Sequence, residues 1–88
     1  MIVYHAGDIQ GLPVQVQIPA DHFFAKNLPA WQSAYDMFIK EFLAQNKQLE
    51  VNDWWRARGS VAAGENPAPG EWWIRISRAP QGYIVYPE

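Results

Sequence analysis

The run from Leu28 to Asn46 constrains the fold more than any other stretch. Trp31, Ala34, Tyr35, Phe38 and Phe42 recur at helical spacing, flanked by Leu28, Ile39 and Leu43, while Ser33, Asp36, Lys40 and Lys47 fall on the other side. A broad apolar stripe with a 3.6-residue period specifies an amphipathic helix. Such a helix is marginal alone in water, so its aromatic stripe needs a partner surface. Asn27 suits the N-cap and Pro29 the first turn. Asn46 suits a left-handed stop, with Lys47 near the negative end of the dipole.

The flanking segments supply that surface. Leu12, Val14, Val16 and Ile18 alternate with Pro13, Gln15 and Gln17, the pattern of a strand with one buried face. Pro13 has no donor, which places it at a strand start or an edge. Ile2 to Ala6 is a second strand, and Gly7 to Gly11 is the turn of an N-terminal hairpin. Pro19-Ala20-Asp21 opens a short helical turn carrying Phe23 and Phe24. Beyond the helix, Asp53 to Ala63 reads as a strand with a bend at Gly59. Gly64, Pro67, Pro69 and Gly70 mark residues 64–70 as a loop. Trp72, Ile74 and Ile76 then alternate with Trp73, Arg75 and Ser77. Ala79 to Gly82 is a turn, and Tyr83 to Tyr86 is a last strand.

The order is β-β-α-β-β-β: an α+β fold, 1–88 as a single domain, with one amphipathic helix on one face of a small antiparallel sheet. Leu12, Val14, Val16, Ile18, Ile74, Ile76 and one of Ile84 or Val85 are expected beneath the helix. The other face receives Gln15, Gln17, Trp73, Arg75 and Ser77, joined by some of His5, Tyr83, Arg56 and Arg58. An exposed Tyr83–Tyr86 strand would offer an edge for a homodimer.

Composition narrows function by exclusion. There is no cysteine, hence neither a disulfide framework nor a Cys-based zinc site. No stretch approaches a membrane span, and the N-terminus lacks a basic region and long apolar run, which points to the cytoplasm. A net charge of −2 argues against a strong nonspecific grip on nucleic acid. His5 and His22 lack the spacing of three convergent metal ligands. No serine lies in a Gly-x-Ser-x-Gly elbow, and the scattered glycines form no phosphate loop. No cofactor, metal or catalytic residue is assigned.

The arginines lie close in sequence to tryptophans: Arg56 and Arg58 after Trp54-Trp55, Arg75 and Arg78 after Trp72-Trp73. Exposed Trp, Tyr and Arg carry much of the energy of protein interfaces. The expected function is therefore non-catalytic binding of a larger protein, as a small inhibitor or accessory subunit of the immunity-protein or phage-antagonist type. Its anchors are Trp73, Arg75, Tyr83, Arg56 and Arg58, and the 64–70 loop adds contact. One alternative is a module that stacks single-stranded nucleic acid on the same face. Another is a small metal-free ribonuclease drawing on His5, Arg56, Arg75, Glu71 and Tyr83 as base, clamp and acid.

Overall fold

A computed structural model describes residues 1–60 and 71–88. The elements run β1 (Ile2–Ile9), β2 (Leu12–Ile18), α1 (Phe23–Lys26), α2 (Leu28–Ala44), β3 (Trp54–Ser60), β4 (Glu71–Ala79) and β5 (Gly82–Pro87). The α+β class and the β-β-α-β-β-β succession match the sequence pattern, with α1 a single turn ahead of the main helix. The loop expected at 64–70 lies outside the described residues, as does the end of the strand expected to reach Ala63.

Helix α2 forms where its capping groups permit. Asn27 Oδ1 accepts the Ala30 amide at 3.2 Å, and Pro29 occupies the first turn, where its missing N–H is no loss. At the far end Asn46 turns left-handed (φ 52°). Its amide donates to Leu43 O at 3.0 Å and that of Lys47 to Phe42 O at 3.4 Å, a Schellman closure made without glycine. Trp31, Ala34, Phe38 and Phe42 are at most 1% exposed. They pack with Phe24 over Val14, Val16, Ile18, Ile74, Ile76 and Val85. The side of β2 and β4 that the alternation marks as apolar is the side under the helix.

The sheet order is β1-β2-β5-β4-β3. Two expectations are corrected here. The sheet is mixed, because β2 and β5 run parallel, with Val14 against Tyr83 and Val16 against Val85. And β5 is the middle strand, so Tyr83–Tyr86 offers no edge for a homodimer; among the described residues the edges are β1 and β3. Burial follows the arrangement. Tyr83 and Val85, under the helix, are at most 2% exposed, while Ile84 and Tyr86 on the other face are half-buried between the neighbouring strands.

The hairpin also differs from its expected form. β1 continues through Gly7 to Ile9, and the reversal is made by Gln10 (φ 56°) and Gly11 (φ 79°), a two-residue turn of primed type. Gly7 (φ 104°) belongs to a bulge that shifts the register between His5 and Asp8. Gly82 serves another purpose. It begins β5 directly beneath β2, where a Cβ would collide with the Pro13 carbonyl oxygen.

Gly82→Ala should destabilise the fold by about 1–3 kcal/mol, the range for overpacking against rigid backbone; urea unfolding should show a lower midpoint with an unchanged slope. Tyr35, half-buried on α2 with its ring 5.7 Å from that of Trp31, has its pKa pushed up to about 12 by burial, reinforced by Tyr4 and Asp36. The folded state thus holds this proton more tightly than the unfolded chain. Its stabilising contribution is complete below pH 10 and disappears as pH rises through about 12. Tyr35→Phe should remove an ionisation near pH 12 from the tyrosine ultraviolet titration.

Candidate functional site: the uncovered face of β3 and β4

Alternation fixes which side chains reach the uncovered face. On β3, Trp55 and Ala57 turn toward the helix; the Trp55 ring lies 5.1 Å from that of Phe38 and 5.6 Å from that of Phe42. Trp54, Arg56 and Arg58 therefore share the opposite side. On β4, Ile74 and Ile76 are buried, so Trp73, Arg75 and Ser77 face outward. The register sets Trp54 against Ser77, Arg56 against Arg75, and Arg58 against Trp73.

Arg56 directly opposite Arg75 is a like-charge pair, an unfavourable arrangement across strands. Each guanidinium is drawn onto a diagonal neighbour instead. Arg56 lies 4.2 Å from the centroid of Trp73, and Arg75 lies 4.2 Å from that of Trp54. Arg58 approaches Trp73 as well, at 5.3 Å. The ring quadrupole attracts each cation, while the planar guanidinium covers apolar ring surface. Glu88 adds the complementary charge: its Oε2 is 3.4 Å from Arg56 Nε, and its amide donates to Trp73 O at 2.8 Å. The Nε of Arg75 is buried with no hydrogen-bond partner among the described residues. Trp73 and Trp54 remain 38% and 49% exposed, a large apolar area left to solvent.

The neighbouring part of the face is different. Over β1, β2 and β5 it carries Val3, His5, Gln15 and Ile84, which border a concavity of about 330 Å³. His5 Nε2 contacts Asp8 Oδ1 at 3.3 Å, both side chains being well exposed.

Of the five proposed anchors, Trp73, Arg75, Arg56 and Arg58 are brought together. Tyr83 is not, and its placement on the uncovered face is corrected. It is 2% exposed and lies under the helix, its ring 6.0 Å from that of Phe42 and its hydroxyl 3.3 Å from Gln10 Oε1. All four residues of Tyr83–Tyr86 are apolar or aromatic, so alternation alone left its side open. Trp54 was missed, although it shares the parity of Arg56 and Arg58 on one strand.

The residues considered for acid–base chemistry are not assembled. Tyr83 is on the opposite face, and the Glu71 side chain lies outside the described residues. His5 is on β1, three strand spacings of about 4.8 Å each from β4. His22 lies at the helix end of the molecule, where its Nδ1 accepts the Phe24 amide at 3.1 Å and caps α1. Its ring packs 5.3 Å from that of Phe24 and 5.1 Å from that of Trp72. Among the described residues, no three His, Cys, Asp or Glu side chains converge on a metal position, and no helix is long and apolar enough to cross a membrane. Comparison with protein-family models, curated proteins and solved structures finds no match for this chain.

Because Arg56 and Trp73 meet at a solvent-exposed site, their contact should contribute about 0.5–1 kcal/mol to stability. A double-mutant cycle of Arg56→Ala and Trp73→Ala, read by urea unfolding, should recover a coupling of that size. Each single variant should remain folded.

Proposed function

We propose that this protein acts by binding another protein, without catalysis, through the uncovered face of β3 and β4, as a small inhibitor or accessory subunit would. One observation carries the reading: two half-exposed indoles are held beneath three guanidinium groups on a face that no helix among the described residues covers. Stacking holds these long side chains before any partner arrives, so less side-chain entropy is lost on docking. A guanidinium stacked on a ring can still donate from its edge to a carboxylate or a backbone carbonyl. The chain's own Glu88, seated on Arg56, exemplifies the group such a face receives. A protein surface with acidic side chains around an apolar centre is the matching partner. The expected setting is the cytoplasm.

Stacking of nucleobases is the weaker reading. It needs open ring faces, and Trp73 already carries Arg56 and Arg58.

The test is capture of the partner from cells of the native host, followed by calorimetry with the purified pair. Trp73→Ala and Arg75→Ala should each weaken binding by more than about 1 kcal/mol, as anchors of an interface do, while circular dichroism stays unchanged. Unchanged affinity in both variants would refute this face as the docking surface. Tight binding to a single-stranded oligonucleotide that falls steeply with salt would favour nucleic acid instead.

A further inference from the structure

The two edges of the sheet are built differently. β3 carries Arg56 and Arg58 at alternate positions, and charged side chains on an edge discourage pairing with another strand. β1 has no such protection in its first half. From Ile2 to Ala6 it holds no Lys, Arg, Asp, Glu or Pro, and among the described residues β2 is its only neighbour in the sheet. The bulge at Gly7 interrupts regular pairing only beyond this segment.

Apolar surface gathers along the same edge. Met1 is 72% exposed, Val3 50% and Tyr4 38%, and Leu28 at the start of α2 is 48% exposed. Val3 lies on the uncovered face and Tyr4 on the helix face, because they pair with Gln17 and Val16 respectively. Apolar surface thus lies on both sides of the edge, with His5 beside Val3 on the uncovered face. On the helix side Ile2, Tyr4, Leu28, Trp31 and Gln32 line a cleft of about 220 Å³. The edge is also firmly held, since Trp31 Nε1 donates to Tyr4 Oη at 2.8 Å.

We infer that β1 pairs with β1 of a second copy, antiparallel about a two-fold axis near Tyr4, joining two five-stranded sheets edge to edge. Pairing centred on Tyr4 sets Ile2 against Ala6 and Val3 against His5. No charged side chain meets its like, and the edge is complementary to itself, as a two-fold interface requires. An axis normal to the sheet keeps both helices on one side, which brings the Leu28 cleft of each copy beside the other's β1. The same operation at β3 would set the arginines of one copy near those of the other, so β1 is the edge that accepts a copy. This surface is separate from the Arg/Trp face, and either can fail without the other.

Sedimentation equilibrium of the full chain from micromolar to millimolar concentration should show a monomer–dimer equilibrium. Hydrogen exchange of amides in residues 2–6 should slow with concentration, a readout that needs no variant. Val3→Lys, at a half-exposed position, should weaken dimerisation about tenfold or more by setting charge into the new pairing on both copies. Arg56→Glu, on the other edge, should leave dimerisation unchanged. A chain that stays monomeric at millimolar concentration overturns the inference. So does a dimer that is indifferent to Val3→Lys, one that responds to Arg56→Glu instead, or one without concentration-dependent protection in residues 2–6.

Discussion

The structure depends on where the aromatic stripe of α2 is hidden. Trp31, Phe38 and Phe42 are large rings, each at most 1% exposed, and burial of such side chains is the principal favourable term in folding a chain of this size. They require a continuous apolar surface opposite. Val14, Val16, Ile18, Ile74, Ile76 and Val85 provide one only if each strand presents a particular side. A slip of one residue in β4 would put Trp73 and Arg75 under the helix and Ile74 and Ile76 in water. The outward position of the Arg/Trp array is thus a consequence of the core, enforced by the same contacts that hold the fold together.

What could be read from the sequence follows the same logic. The helix was legible because its period, its Asn27 cap and its Asn46 stop agree with one another. The sides of β2 and β4 were legible because apolar and polar residues alternate strictly. β5 was not. Tyr83-Ile84-Val85-Tyr86 has no polar member to mark a side, and a periodicity of two says nothing about neighbours in space. Its central position, parallel to β2, is set by pairing with β2 and β4, which only the placed strands reveal. Gly7 misled for a related reason: a glycine between strands reads as a turn, whereas here it allows a bulge within β1 and leaves the reversal to Gln10 and Gly11.

Four of the five expected anchors lie on one face because they share the parity of polar neighbours, while Tyr83 was placed by its chemistry alone. The loss is partly offset by Trp54, which supplies the ring that Arg75 covers. Each arginine is thereby matched to an indole on the adjacent strand, and that match resolves a difficulty the register would otherwise create. Arg56 and Arg75 face each other, and two cations at that spacing repel. Diagonal stacking separates them and lowers the exposed apolar area of the rings in the same step.

A net charge of −2 for the chain conceals this local concentration of positive charge. Lys26, Lys40 and Lys47 lie on the helices or at their ends, while Arg56, Arg58 and Arg75 stand together on the far face. The choice of arginine there has a physical basis. A lysine ammonium is a compact, strongly hydrated charge, whereas guanidinium is planar, more weakly hydrated, and stacks while still donating from its edge. Rings and guanidinium planes arranged in this way form a surface that is both apolar and cationic, suited to a partner combining carboxylates with an apolar centre. Net charge governs long-range encounter; it is this short-range pattern, fixed by strand parity, that would decide which surface fits.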